Sequence, residues 1–311
     1  MNASPLVIVA GARTPFCRAG STLADFDAVE LGRHAASGLF TRTGIDPAAV
    51  DETVFGCVSQ PANAANIARV IALRAGVPKE RPAMTVHRNC ASGMEAVTTA
   101  QEKLAAGQGE VFLVGGTESM SQMPLLFRHE AAIKFALLSR ARGMGGKLQA
   151  ATAFRPQDFL PLLAIKMGLT DPVAEINMGQ TAELLAREFE ISRDAQDAMA
   201  VRSQLLAAQH RGHLREEIAP MFSGRKDLVA VEDDNGVRTD SSPAKLAKLQ
   251  PIFEPLTGTV TAGNSSQVTD GAVALLACSE ARASSWGWHH WDVSSAMPTR
   301  GVIRNAWAWA P

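Results

Sequence analysis

Cysteine is sparse in this chain. Four residues in 311, Cys17, Cys57, Cys90 and Cys278, are widely spaced and form no Cys-x-x-Cys pair. That argues against a disulfide framework or a zinc site and suits a reducing compartment, so a cytoplasmic location is expected. Long apolar runs are also missing: none approaches the roughly 20 residues that span a bilayer. The start of the chain shows no basic region followed by an apolar core, so no secretory signal is read there. With a net charge of −1 there is no global field to draw the protein to nucleic acid or to an anionic membrane, and neither is expected as a partner. What remains is an ordinary soluble composition, 46% hydrophobic and 20% charged. The length suffices for two domains, or for one domain with a large insertion.

Strand and helix patterns alternate through the first 120 residues. Pro5 to Ala10, Val50 to Val58, Met84 to Arg88 and Glu110 to Val114 read as strands. Leu31 to Phe40, closed near Gly44, and Asn66 to Ala75, stopped by Gly76 and Pro78, read as helices. Such alternation implies an α/β fold with a mainly parallel sheet covered on both faces. From Ser121 to Gln250 the alternation fades. Two helices stand out there, Met178 to Phe189 and Arg193 to Arg211, the second with Ser192 as its N-cap. Glu183 and Arg187 form an i,i+4 pair that reads as a solvated face. Strand–helix alternation restarts at Gly258, with Thr259-Val260-Thr261 as a strand, Gln267 to Ala272 as a helix start and Val273 to Cys278 as the next strand.

One stretch combines structure with chemistry. Thr85-Val86-His87-Arg88-Asn89-Cys90-Ala91-Ser92-Gly93-Met94-Glu95-Ala96 reads as a strand end, a sharp turn and the first turn of a helix. A free cysteine is more often buried and structural than reactive. Here, however, Cys90 falls near a helix N-terminus, where unpaired N–H groups and the macrodipole favour a thiolate. Small neighbours leave its sulfur approachable, and a nucleophile just past a strand's carboxyl end is where open α/β sheets place their sites.

Asn89-Cys90-Ala91-Ser92-Gly93 resembles the nucleophile loop of the thiolases. Val114-Gly115-Gly116-Thr117-Glu118-Ser119-Met120-Ser121, Asn177-Met178-Gly179-Gln180-Thr181-Ala182-Glu183 and Val260-Thr261-Ala262-Gly263-Asn264-Ser265-Ser266 are similar to three further signatures of that family, in the same order. The resemblance runs from Val7 to about Ala283. It implies a layered α/β/α fold with a first core half at 1–120, an inserted CoA-binding loop domain at 121–250 and the opening of a second core half at 251–283. It implies an acyltransferase acting on 3-oxoacyl-CoA and CoA, or the reverse Claisen condensation, with the acyl group held on Cys90 as a thioester. Coenzyme A is then a substrate, and no other cofactor or metal is implied. It also implies a homodimer or a dimer of dimers. For CoA contacts the resemblance points to Leu169, Met178 and Ser266. Met178 is as readily core packing, and Ser266 as readily the cap of a following helix. Asn177, where biosynthetic relatives often carry histidine, fits the β-oxidation type better, and Gln250 replaces a base that many relatives carry near the CoA adenine.

The resemblance stops near Ser284. All five tryptophans, Trp286, Trp288, Trp291, Trp307 and Trp309, fall in the last 26 residues, and from Ser284 onward there is neither lysine nor glutamate. The family's Asn-Glu motif, its Gly-His-Pro histidine and its second, Cys-x-Gly-Gly-Gly cysteine are not found. None of the histidines, at positions 34, 87, 129, 210, 213, 289 and 290, lies in a Gly-His-Pro context. The final Ala306-Trp307-Ala308-Trp309-Ala310-Pro311 can be encoded by GCA TGG GCC TGG GCC CCN, which read from its third base gives Met-Gly-Leu-Gly-Pro, a thiolase motif. Residues 284–311 are therefore expected to be an out-of-frame translation. The chain is expected to lack turnover and to leave its sheet with an unfinished apolar edge. The alternative is a thiolase-like protein that binds acyl-CoA without catalysis.

Overall fold

A computed structural model describes residues 5–224, 227–288 and 291–292. Its strands are β1 (Leu6–Arg13), β2 (Cys17–Arg18), β3 (Glu52–Gly56), β4 (Ala83–Val86), β5 (Val111–Glu118), β6 (Leu125–Leu126), β7 (Leu162–Leu163), β8 (Met221–Ser223), β9 (Val229–Val231), β10 (Thr269–Ser279) and β11 (Trp291–Asp292). The helices that matter below are α1 (Ala28–Thr43), α2 (Ile67–Arg74), α3 (Ser92–Ala105), α4 (His129–Arg140), α5 (Gly143–Thr152), α6 (Ala164–Gly168), α7 (Met178–Glu188), α8 (Arg193–Gln209) and α9 (Arg211–Glu217). The described residues fall into two compact units, one drawn from Met1–Gln122 and Ala182–Pro311, the other from Met123–Thr181.

The larger unit is built on one sheet with strand order β11-β1-β10-β5-β3-β4, with β2 added to β10. Successive side chains in each strand enter opposite layers, as a pleated strand requires. Val7, Phe55, Leu113, Leu276 and Cys278 join the core under α1 and α2. Their neighbours Leu6, Val54, Phe112, Val114 and Ala277 join the core under α3, with Ala96, Val97 and Ala100 of that helix. The sheet is thus covered on both faces, and its central strands read as unbroken apolar runs.

The helix boundaries follow local chemistry. The Asp27 side chain accepts from Glu30 N–H to start α1, and Gly44 at φ 69° ends it in the left-handed conformation. Asn66 caps α2 by accepting from Arg69 N–H, and Ser192 caps α8 by accepting from Ala195 N–H.

Three expectations are corrected. The sheet is mixed: β3 pairs in parallel with β4 and β5, whereas β10 runs antiparallel to β1, β2 and β5, and β11 antiparallel to β1. Residues 267–272 do not begin a helix, because β10 starts at Thr269. And β10 lies inside the sheet of the first half, hydrogen-bonded to β1 on one side and β5 on the other, rather than opening a second layer or leaving an apolar edge.

The span read as one insertion, 121–250, also divides. Residues 182–250 cluster with the sheet unit through buried polar ties. The buried Arg13 guanidinium reaches Asp234 at 2.7 Å and Glu217 at 3.0 Å. Within 182–250, Arg193 of α8 pairs with Asp197 at 2.8 Å and donates to Leu246 O. The smaller unit holds α4, α5, α6 and the β6–β7 pair. Phe127, Phe135, Phe154 and Phe159 cluster there with ring centroids 4.8–6.1 Å apart, and Lys134 pairs with the buried Asp158 at 2.7 Å. Toward the C-terminus, Ser279 caps the helix Glu280–Ser285, and Trp286 packs against the sheet core. His289, His290, Trp307 and Trp309 lie outside the described residues.

Candidate active site

Of three parallel strands, β3 and β4 end at the same level and β5 runs two residues further: Gly56 pairs with Val86 on one side and with Gly116 on the other. Beyond that level the chain from β4 turns through His87 to Ala91 into α3. Asn89 holds a positive φ of 46°, a conformation that asparagine tolerates better than most residues. The buried Ser92 hydroxyl fixes the turn. It accepts from Arg88 N–H at 2.8 Å and donates to Asn89 O at 2.6 Å. Two glycines let the helix start sit this low. A Cβ on Gly56 would meet the Ser92 backbone at 2.4 Å, and one on Gly116 would lie 3.4 Å from Gly93 Cα.

Cys90 projects from this turn. It is exposed, whereas Cys17, Cys57 and Cys278 are buried. No side chain caps α3, whose N-cap is Ala91, so its first turn is open beside the thiol. Arg88, unassigned from sequence, pairs with Glu95 of α3 at 2.8 Å. The buried thiols differ chemically. Desolvation pushes Cys17 and Cys278 up to about 11, and pushes Cys57 further, with the Glu118 charge adding to it.

Glu118, the last residue of β5, is the notable group that sequence reading left without a role. Its carboxylate accepts from Val58 N–H at 2.9 Å and Ser59 N–H at 3.0 Å, with Cys57 Sγ 4.0 Å away. Burial raises it above the usual carboxylate range, while the two N–H bonds and the charge of His87 pull it down. Glu183 is the second such group. It does not lie on a solvated face with Arg187: it is 1% exposed and accepts from Thr259 N–H, Val260 N–H and the Thr259 hydroxyl at 2.8–3.0 Å. Arg187 pairs with Glu254 instead. With its N–H groups taken by a carboxylate, Thr259-Val260-Thr261 is not a strand. Asn264 completes this loop, accepting from Thr261 N–H and donating to Asp197 and Thr259 O. Both glutamates sit inside the motifs quoted from the sequence, which is the signal that marked them.

Leu169 and Met178 come together: Met178 N–H donates to Leu169 O at 3.2 Å. Both are exposed, 42% and 52%, so Met178 is not core packing. Asn177 and Gln180 cap α7 reciprocally, each side-chain oxygen accepting the other's N–H at 2.9 Å. Ser266 belongs to the other unit and is exposed, and its hydroxyl makes a 3.5 Å contact to Gln267 O. It caps no helix, since β10 follows. Among the described residues, no helix is long and apolar enough to cross a membrane.

A family profile described as "Thiolase, N-terminal domain" matches residues 6–281. The 3-ketoacyl-CoA thiolase of Pectobacterium carotovorum subsp. carotovorum is 39% identical over 284 residues, 91% of this chain and 64% of that protein. The chain thus spans about two thirds of the length of the curated relatives it matches. Among solved structures, the Bacillus anthracis acetyl-CoA acetyltransferase superposes with a TM-score of 0.80 at 33% identity, covering 93% of this chain and 69% of that one. Human mitochondrial 3-ketoacyl-CoA thiolase in complex with CoA superposes with a TM-score of 0.78 at 32% identity, covering 93% and 68%.

Proposed function

The chain belongs to the thiolase family, and from that premise we propose that Cys90 is its acyl-accepting nucleophile in the cleavage of 3-oxoacyl-CoA by CoA, or in the reverse condensation. The observation that carries this reading is the exposed thiol in the Asn89–Ser92 turn, beside the uncapped start of α3 and at the carboxyl ends of β3, β4 and β5. The Cys90 thiolate attacks the 3-oxo carbonyl. A C–S bond forms and the bond to the carbon next to the thioester breaks, releasing a CoA-bound carbanion that takes up a proton as acetyl-CoA. CoA thiolate then attacks the Cys90 thioester, leaves as shortened acyl-CoA and frees the cysteine. A CoA-bound structure of a relative supports CoA as the second substrate. Leu169 and Met178, exposed and joined through their backbones, are proposed apolar contacts to it, and the exposed Ser266 is a proposed polar contact. Fatty-acid β-oxidation is the proposed setting and a homodimer, or a dimer of dimers, the proposed assembly.

The 311-residue polypeptide is proposed to accept acyl groups without turning over. Removing the thiol proton and protonating the departing acetyl unit each take a positioned acid–base group, typically worth about 10²–10⁴-fold. No histidine of this chain stands in the family's Gly-His-Pro context. Incubating the purified chain with labelled acetyl-CoA, followed by peptide mapping, tests both statements. Label on the Cys90 peptide, lost in Cys90→Ser, with no CoA-dependent cleavage of acetoacetyl-CoA, is the expected result. Reversible CoA binding without label would replace it with the non-catalytic acyl-CoA-binding reading. Robust cleavage would overturn the claim of lost turnover.

A further inference from the structure

The Ser92 hydroxyl ties the nucleophile turn together, and Ser92 rests on Gly56, where even a methyl group would collide with its backbone. The position of Gly56 therefore sets the position of the turn. The chain leaves β3 at Gly56, and its Val58 and Ser59 N–H groups are both held by one carboxylate, that of Glu118 at the end of the neighbouring strand. Residues 56, 86 and 116 are level in the three strands, so Glu118 stands two residues above that level, on the side where the turn lies. A carboxylate is an unusual choice for this work. Among the described residues no lysine or arginine pairs with it at salt-bridge distance, and an uncharged amide would satisfy one of the two N–H groups without desolvating a charge.

We propose that Glu118 is a positioning residue for Cys90: its ionised carboxylate ties Val58 and Ser59 to the end of β5, and this tie, relayed through Gly56 and Ser92, fixes the turn that presents the thiol. The inference rests on Cys90 being the nucleophile. The titratable groups around Glu118 are Cys57 from the end of β3 and His87 from the end of β4, with the Arg88–Glu95 ion pair next along the turn. Protonation gives the carboxyl an O–H that can no longer accept two N–H bonds as strongly, so the tie loosens. Burial has moved that protonation above the ordinary carboxylate range, and the positive charge of His87 opposes the move.

The test is the rate of Cys90 alkylation by iodoacetamide as a function of pH, read by peptide mass mapping on the full chain. A thiol held in a fixed environment gives a log rate rising with slope one below its own pKa. The wild type is expected to depart from that line where Glu118 titrates. Glu118→Gln, with its melting transition followed in parallel, is expected to restore the straight line. His87→Asn, with its melting transition also followed in parallel, is expected to move the departure to higher pH, because the charge holding the carboxyl down is gone. Slope one throughout in the wild type, or a departure unmoved in His87→Asn, overturns the proposal. Alkylation needs no CoA. A chain that fails to take label from acetyl-CoA, yet shows the departure and its shift, would sink the acyltransferase reading and leave the role of Glu118 standing.

Discussion

At the scale of single residues, the four cysteines separate into one surface thiol and three interior ones, and the difference is large enough to measure simply. Cys17 and Cys278 are pushed up to about 11 and Cys57 beyond them, each chiefly by burial. Both the thiolate fraction and access to reagent are thus suppressed at all three. Near neutral pH, Cys90 should be alkylated faster than each of the others, whose thiolate fraction falls tenfold for every unit by which burial raises the pKa. Equal labelling of any of the three in native protein would show that the core around it opens. The exposed turn that carries Cys90 was legible in the sequence because everything that forms it is local: a strand end, small residues and a helical stripe within a dozen positions. Glu118 was present in the same reading only as a letter of a motif. Its role depends on Val58 and Ser59, 60 and 59 residues away in the chain, and no local pattern encodes such a contact.

At the scale of elements, the same division between local and distant causes explains which boundaries were legible. Asn66, Ser192 and Gly44 act within three or four residues of themselves, and they mark their helices in the structure as they do in the sequence. Thr259-Val260-Thr261 has strand composition, but Glu183 of α7 takes its N–H groups. A strand needs a neighbouring strand to receive those bonds, and here a carboxylate replaces it. This arrangement makes Glu183 the main support of the 259–266 loop. Glu183→Ala leaves two backbone donors and a hydroxyl without their acceptor, at about 1–3 kcal/mol for each buried group. A loss of at least about 3 kcal/mol is expected in urea unfolding. Arg187→Ala, which removes only a surface pair with Glu254, should cost less than about 1 kcal/mol. Similar losses in the two variants would mean that Glu183 belongs to the solvated face after all.

At the scale of the whole molecule, the sheet was legible as α/β and layered, but the order and direction of its strands were not. Val273 to Cys278 reads as a buried strand from its apolar run alone. That it enters between β1 and β5, antiparallel to both, depends on a pairing of Leu6 with Ser279 across nearly the entire described chain. Removing the segment from Thr269 onward should therefore remove the middle of the sheet rather than an edge, and abolish the cooperative thermal transition measured by circular dichroism. A shortened chain that still melts cooperatively would mean that β1 and β5 can close on each other. The placement of β10 also bears on how the protein is made. Arg13 meets Val273, so β1 must wait for some 260 further residues to be synthesised before its partner exists. At about 5–20 residues per second that wait is on the order of tens of seconds. Throughout it, Leu6, Val7, Leu113 and Val114 belong to strands with an open flank, and loop closure over so long a separation is slow. The ribosome-bound chain thus spends most of its synthesis with the inner edges of its future sheet bare, and that interval, rather than any weakness of the finished fold, is when holding chaperones would find it.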